Sequence, residues 1–258
     1  MKFSITTIQA DIFWENKEAN HAMFAKAIRN ASDTSSLLIL PEMYTTGFSM
    51  QTKHLAETMD GSSVNWMIEQ AKKNKINIAG SLIIKESDKF FNRLIVASPE
   101  GETQYYDKKH LFSYADEHLN YSPGKQELIV SINGVKIAFF ICYDLRFPIW
   151  SRNIKLKYDV AVYIANWPEK RKEHWITLLK ARAIENQSYV IGVNRIGDDG
   201  NGINYSGESG VYNYLGQKIS NTLAYEFRVE NVILDLDALN NYRIKFPAHL
   251  DSDKFYLD

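Results

Sequence analysis

One cysteine stands in this 258-residue chain, and its setting raises a chemical question. Residues 136–148 read KIAFFICYDLRFP, so the apolar run Ile137–Ile141 stops at Cys142 and turns polar at once. A lone cysteine reads two ways, as a small buried hydrophobe or as a nucleophile. The run ahead of it would carry the thiol to the carboxyl end of a buried strand, the edge where α/β sheets gather their active sites. The turn beyond it would offer backbone N–H groups to a developing oxyanion. A thiol with a pKa of ~8.5 is only a few per cent ionised at neutral pH, so the nucleophile reading requires a base and a positive neighbour.

Two other segments supply candidates. Glu42 follows Leu37-Leu38-Ile39-Leu40-Pro41. A carboxylate just past an apolar strand is placed to have a raised pKa, and the same residue also reads as an ordinary loop cap or pairing partner. Lys108 and Lys109 lie in Tyr105-Tyr106-Asp107-Lys108-Lys109-His110-Leu111-Phe112. Adjacent residues of an extended segment face opposite ways, so one lysine at most enters a shared site, and both also fit a solvated surface. The six histidines, at 21, 54, 110, 118, 174 and 249, show no metal-ligand spacing. No dinucleotide fingerprint, P-loop or G-x-S-x-G elbow is present, so neither a metal nor a cofactor is expected.

The elements that must position these residues alternate between periods of two and 3.6. Strands are expected near 3–8, 37–40, 76–84, 91–98, 126–131, 135–141, 158–165, 189–194, 208–213 and 226–234. Asn133-Gly134 is a strong hairpin signal. Helices are expected over 16–31, with Ala19, Met23, Ala27 and Ile28 on one face, over 63–74 and 171–187, and from 235 onward. The segment 107–124 reads as a long functional loop and 197–207 as a mobile surface loop. This interleaving predicts one α/β domain over 1–258, with its core strands covered by helices and a tail, 245–258, that docks on the domain or on a partner subunit.

With 30 basic and 31 acidic residues the net charge is −1, so no basic footprint for nucleic acid or an anionic membrane is present. A single cysteine cannot form an internal disulfide. No stretch approaches ~18 uninterrupted apolar residues, and the start of the chain lacks the pattern of a signal peptide. The expectation is a reduced, soluble, cytoplasmic protein.

Leu-Pro-Glu (40–42), Tyr-Asp-Lys-x-His-Leu-Phe (106–112) and Cys-Tyr-Asp-Leu-Arg-Phe-Pro (142–148) together resemble the nitrilase superfamily of carbon–nitrogen hydrolases, over nearly the whole chain. Asn166-Trp167-Pro168, Arg182-Ala183-Ile184-Glu185-Asn186 and the tail resemble its omega-amidase branch, which removes the terminal amide of 2-oxoglutaramate and 2-oxosuccinamate. The resemblance implies a four-layer α-β-β-α sandwich of two mixed sheets that pairs into homodimers. It also implies Glu42 as general base and acid, Lys108 rather than Lys109 as oxyanion stabiliser, and Cys142 as nucleophile. Glu117 is the implied second glutamate, and the Tyr143 backbone N–H shares the oxyanion. The resemblance further implies a thioester that forms and is hydrolysed, with no metal and no cofactor.

A keto-acid amide carries a carboxylate, for which Arg146 and Arg195 are candidates. Tyr44, Phe48, Phe112 and Trp167 flank the implied catalytic segments and are candidate walls, with core packing as the alternative for each. Competing readings are a sister activity on the same three residues (deaminated glutathione, short-chain amide, N-carbamoyl amino acid or nitrile hydrolysis), a papain-like Cys-His hydrolase using His110 or His118, and a non-enzymatic interaction module.

Overall fold

The computed structural model describes residues 1–29, 31, 35–253 and 255. Its first sheet runs β13 (Arg228–Asp235), β1 (Lys2–Gln9), β2 (Leu37–Ile39), β3 (Asn77–Glu86), β4 (Lys89–Ala97) and β5 (Thr103–Asp107). The second runs β12 (Gly210–Tyr212), β9 (Tyr189–Asn194), β8 (Val160–Ala165), β7 (Val135–Ile141) and β6 (Leu128–Ile132). Both are mixed: β1, β2 and β3 are parallel, as are β7, β8 and β9, while the flanking strands are antiparallel. A separate two-stranded ribbon joins β10 (Ile196–Asp198) to β11 (Asn204–Ser206).

Side-chain alternation shows why the central strands are apolar throughout. Leu37 and Ile39 of β2 enter a core shared with the second sheet, whereas Leu38 joins a layer with Phe24, Val64 and Met67. That outer layer is supplied by α1 (Lys17–Arg29) and α3 (Ser62–Asn74), with the single turn α2 (Thr52–Leu55) between them. On the second sheet Phe140, Tyr163 and Gly192 are in register and so share a face. That face carries α5 (Lys172–Glu185): a Cβ at Gly192 would lie 2.4 Å from Leu179 and 2.7 Å from Trp175. Strands covered on both sides need apolar residues at every position. The result is the expected α-β-β-α sandwich.

Three local expectations change. Helix α1 buries Asn20, Phe24, Ala27 and Ile28, so its inner face is turned by about one residue from Ala19 and Met23. Asn20 takes the place of an apolar residue because its amide ties Phe13 and Thr45 backbone groups to the helix. The expected loop 197–207 forms most of the β10–β11 ribbon. The segment 107–124 contains a short 3-10 turn, Ser113–Ala115, and α4 (Glu117–Asn120).

The hairpin signal at Asn133-Gly134 is realised with both residues at positive φ, as a type I′ turn requires. After β13 comes α6 (Leu236–Lys245), and the following residues reach Gln187, which bonds the Phe246 carbonyl and the His249 amide. Positions 254 and 256–258 of the tail lie outside the described residues. No described helix is long and apolar enough to cross a membrane.

Candidate active site

The carboxyl ends of parallel strands from both sheets converge on one point. Leu40-Pro41-Glu42 leaves β2, Cys142 follows β7, and Asn166 follows β8. The Asn166 amide donates to Glu42 Oε2 at 2.7 Å, and its side chain donates to the Glu42 carbonyl at 2.7 Å. Glu42 thus bridges the seam between the sheets and is fully buried.

Around it lies a cluster of charge withdrawn from water. Lys108 Nζ sits 3.0 Å from Glu42 Oε1 and 3.0 Å from Glu117 Oε1, and the exposures of Glu42, Lys108 and Glu117 are 0, 1 and 0%. Asn92, buried in β4, donates to Glu42 Oε1 at 2.7 Å. Burial alone would weaken the Lys108 ammonium, but Glu117 and Glu42 outweigh it and hold its pKa above the ordinary lysine value. Burial pushes the Glu117 carboxyl up against the pull of Lys108.

Glu117 also orders its own loop, accepting from the Phe112 amide at 2.6 Å. The loop closes where the Gly124 amide donates to the Lys108 carbonyl at 2.9 Å. A Cβ at Gly124 would lie 2.0 Å from the Asp107 carbonyl, so only glycine permits that approach. Lys109 turns away and places its ammonium over Trp150, in keeping with the alternation argument.

Cys142 opens a 3-10 turn, Cys142–Arg146, with φ at +43°. A non-glycine residue in that region costs ~1–3 kcal/mol and persists only where its surroundings enforce it. Asp144 does the enforcing. Its carboxylate accepts from the Ile141 amide (2.9 Å), the Tyr106 hydroxyl (2.7 Å) and the His110 amide (3.0 Å), with His110 Nδ1 at 2.8 Å. Arg182 of α5 donates to the Leu145 carbonyl at 2.6 Å and fixes the far side of the turn. The Tyr143 amide lies in the first turn, where no intrahelical carbonyl is available to it. Sulfur lies 4.0 Å from the Asn166 carbonyl. Burial pushes the thiol pKa well above the ordinary value, Glu42 pushes it further, and Lys108 draws it partly back.

A cavity of about 480 Å³ opens on this cluster and takes Cys142, Lys108 and Tyr143 into its lining. Phe48, Phe112, Trp167 and Arg146 line it as well. Two expected substrate residues are corrected. Tyr44 is fully buried in the layer beneath α1 and α3, its hydroxyl donating to the Ser63 carbonyl, so it forms no wall. Arg195 is also fully buried, and its guanidinium donates to Asp11 and to the carbonyls of Ile12, Ile196 and Asp198. It clamps the ribbon instead, stacking 4.8 Å from the Tyr205 ring that does line the cavity.

Of the two histidines weighed as bases, His110 is stacked on Phe147 at 3.9 Å and bonded to Asp144, and His118 is exposed on α4. Neither is hydrogen-bonded to the sulfur. Asn92 and Asp144 were not among the sequence candidates. The signal for Asn92 is a polar residue inside Phe90-Phe91-Asn92-Arg93-Leu94; for Asp144 it is an acid two residues past the cysteine. Among the described residues no group of three or more His, Cys, Asp or Glu could hold a metal.

The family model for carbon-nitrogen hydrolases matches residues 4–237, so the chain belongs to that family and is a hydrolase of non-peptide C–N bonds. It is 43% identical to Omega-amidase YafV of Escherichia coli (strain K12), over 98% of each chain. It is 33% identical to the 2-oxoglutaramate amidase of Bacillus subtilis (strain 168), over 98% of this chain and 99% of that one. Among solved structures it is similar to XC1258 from Xanthomonas campestris, a CN-hydrolase superfamily protein with an arsenic adduct in its active site. That match has a TM-score of 0.97, 38% identity and full coverage of both chains.

This geometry makes three predictions. Asp144→Asn replaces one of two accepting oxygens by an NH2 group, which meets either the Tyr106 hydroxyl and Ile141 amide or the His110 donors without accepting from them, so stability should fall by roughly 1–3 kcal/mol and kcat with it. Urea unfolding and steady-state assays read both, and an unchanged kcat would remove Asp144 from the positioning of Cys142. Because the thiol pKa is raised, alkylation of Cys142 by iodoacetamide should keep accelerating from pH 7 to above pH 9. Glu42→Gln removes a charge that raises the thiol pKa and leaves Lys108, which lowers it. The variant should therefore alkylate faster at pH 7 while losing turnover; slower alkylation would contradict the charge assignment.

Proposed function

We propose that this chain is an omega-amidase, hydrolysing the terminal amide of omega-amido 2-oxo acids such as 2-oxoglutaramate and 2-oxosuccinamate to the dicarboxylate and ammonia. The observation that carries the substrate class is the near-full-length identity with the omega-amidase and the 2-oxoglutaramate amidase. The buried cluster beside Cys142 supports the mechanism.

Cys142 sulfur attacks the amide carbon as Glu42 accepts the thiol proton. The carbonyl oxygen becomes an oxyanion held by Lys108 and the Tyr143 amide. Collapse breaks the C–N bond, Glu42 returns the proton to nitrogen, and ammonia leaves a thioester. Glu42 then takes a proton from water as it attacks the thioester, Glu117 assisting, and the carboxylate product and free thiol are restored. Lys108 keeps its proton while Glu42 carries one, because the Glu117 carboxylate still faces its ammonium.

The test is ammonia release from 2-oxoglutaramate beside an N-carbamoyl amino acid, a nitrile and a simple amide. The oxo-acid amide should be hydrolysed with the highest kcat/KM, and a higher value on another class would replace the assignment by a sister activity. Cys142→Ala should abolish release with the fold intact. Lys108→Ala should lower kcat by about 10²–10³.

The chain is further read as a cytoplasmic homodimer. Its one thiol must stay reduced to act. Exposed Ile184 packs near Gly216, beside Leu215, and the stacked rings of Tyr214 and Tyr242, with Phe246 tilted against Tyr242, extend the apolar surface. A second copy of the chain would cover that surface. Sedimentation equilibrium should give twice the chain mass; a monomer at micromolar concentration would remove the dimer.

A further inference from the structure

We infer that Arg171 holds the substrate carboxylate, and so makes this pocket specific for anionic amides. The inference deepens the proposed function and rests on its reading of the cavity as the amide site. With Arg195 sunk in the core, the cations that line the cavity beside Lys108 are Arg146, Lys170 and Arg171, and the acid among its lining residues is Glu169. Lys170 is exposed at the rim, whereas Arg146 and Arg171 are half-buried and both touch Trp167. Arg146 lies 4.8 Å over the Trp167 ring, and the indole N–H donates to the Arg171 carbonyl at 2.8 Å.

The two arginines differ in what already occupies them. Arg146 reaches His174 Nδ1 at 3.1 Å. Among the described residues the Arg171 guanidinium forms no ion pair and donates no hydrogen bond. It rests on the face of Phe112, 5.4 Å from the ring centre. A planar donor fork oriented by an aromatic ring and left without an acceptor suits bidentate binding of a carboxylate.

Electrostatics orient the ligand the same way. At the inner end of the cavity two carboxylates face one ammonium, which disfavours a substrate anion beside Cys142. The outer wall is cationic. A substrate with an amide at one end and a carboxylate at the other is therefore driven to enter amide first. The positions are also coupled through Phe112, whose ring carries Arg171 and whose amide is bonded to Glu117.

Succinamate and pentanamide provide the test, because neither has the 2-oxo group and only the first is an anion. Arg171→Gln should raise KM for succinamate by about 10- to 100-fold, the worth of one charge-assisted contact. The kcat for succinamate should change less than KM, and kcat/KM for pentanamide should stay within about threefold, which also shows that the variant is folded. Arg171→Lys should recover part of the loss, and Arg146→Gln should have the smaller effect. An unchanged ratio of succinamate to pentanamide in Arg171→Gln, or a larger loss in Arg146→Gln, overturns the inference. Failure of the proposed function shows elsewhere, as a wild-type enzyme that does not prefer 2-oxoglutaramate.

Discussion

Everything near the cavity answers to one constraint, the removal of Glu42, Lys108 and Glu117 from water. Each ion withdrawn into a protein costs several kcal/mol, repaid only if partners stand at hydrogen-bond distance on nearly every side. Here Lys108 serves both carboxylates, Asn92 and the Asn166 amide complete Glu42, and the Phe112 amide completes Glu117. Losing one member of such a cluster strands the others, at a cost of about 3–5 kcal/mol. The partners come from β4, the end of β5, the loop after Lys108 and the end of β8. The cluster can therefore exist only in the assembled sandwich.

The same geometry explains the chemistry. A desolvated thiol near a carboxylate is a weak acid, so in the proposed reaction Cys142 gives up its proton during attack rather than before it. The positive φ of Cys142 and the Asp144 bonds to Ile141, Tyr106 and His110 aim the sulfur from a rigid turn. Strain at one residue is tolerated because β7 behind it is buried on both faces and Arg182 holds the turn from α5.

Much of the fold is legible in the sequence where one force dominates. The runs at 137–141 and 160–165 are apolar without alternation because helices and sheet cover both faces, and Asn133-Gly134 fits a turn that demands two positive φ angles. Legibility fails where a side chain acts through a distant partner. Asn20 turns the buried face of α1 because its amide serves backbone atoms at Phe13 and Thr45. The ribbon at 196–206 reads as a loop because its strands are three residues long and Arg195 anchors it from within.

Residue types and order by themselves determined the covered α/β strands and put Glu42 and Cys142 just past two of them, because those motifs are local; the double sheet and the choice of Lys108 over Lys109 came with the family resemblance. Tertiary structure alone decided which arginine faces the cavity and which aromatic residues line it. Arg195 directly follows β9 and Arg171 sits in the charged run 169–173; among the described residues the first bonds Asp11 and backbone carbonyls, while the guanidinium of the second has no acceptor. Tyr44 and Phe48 lie four residues apart, on opposite sides of the cavity wall. Burial and partnership of a long polar side chain are set by what the rest of the chain brings against it, and no local pattern encodes that.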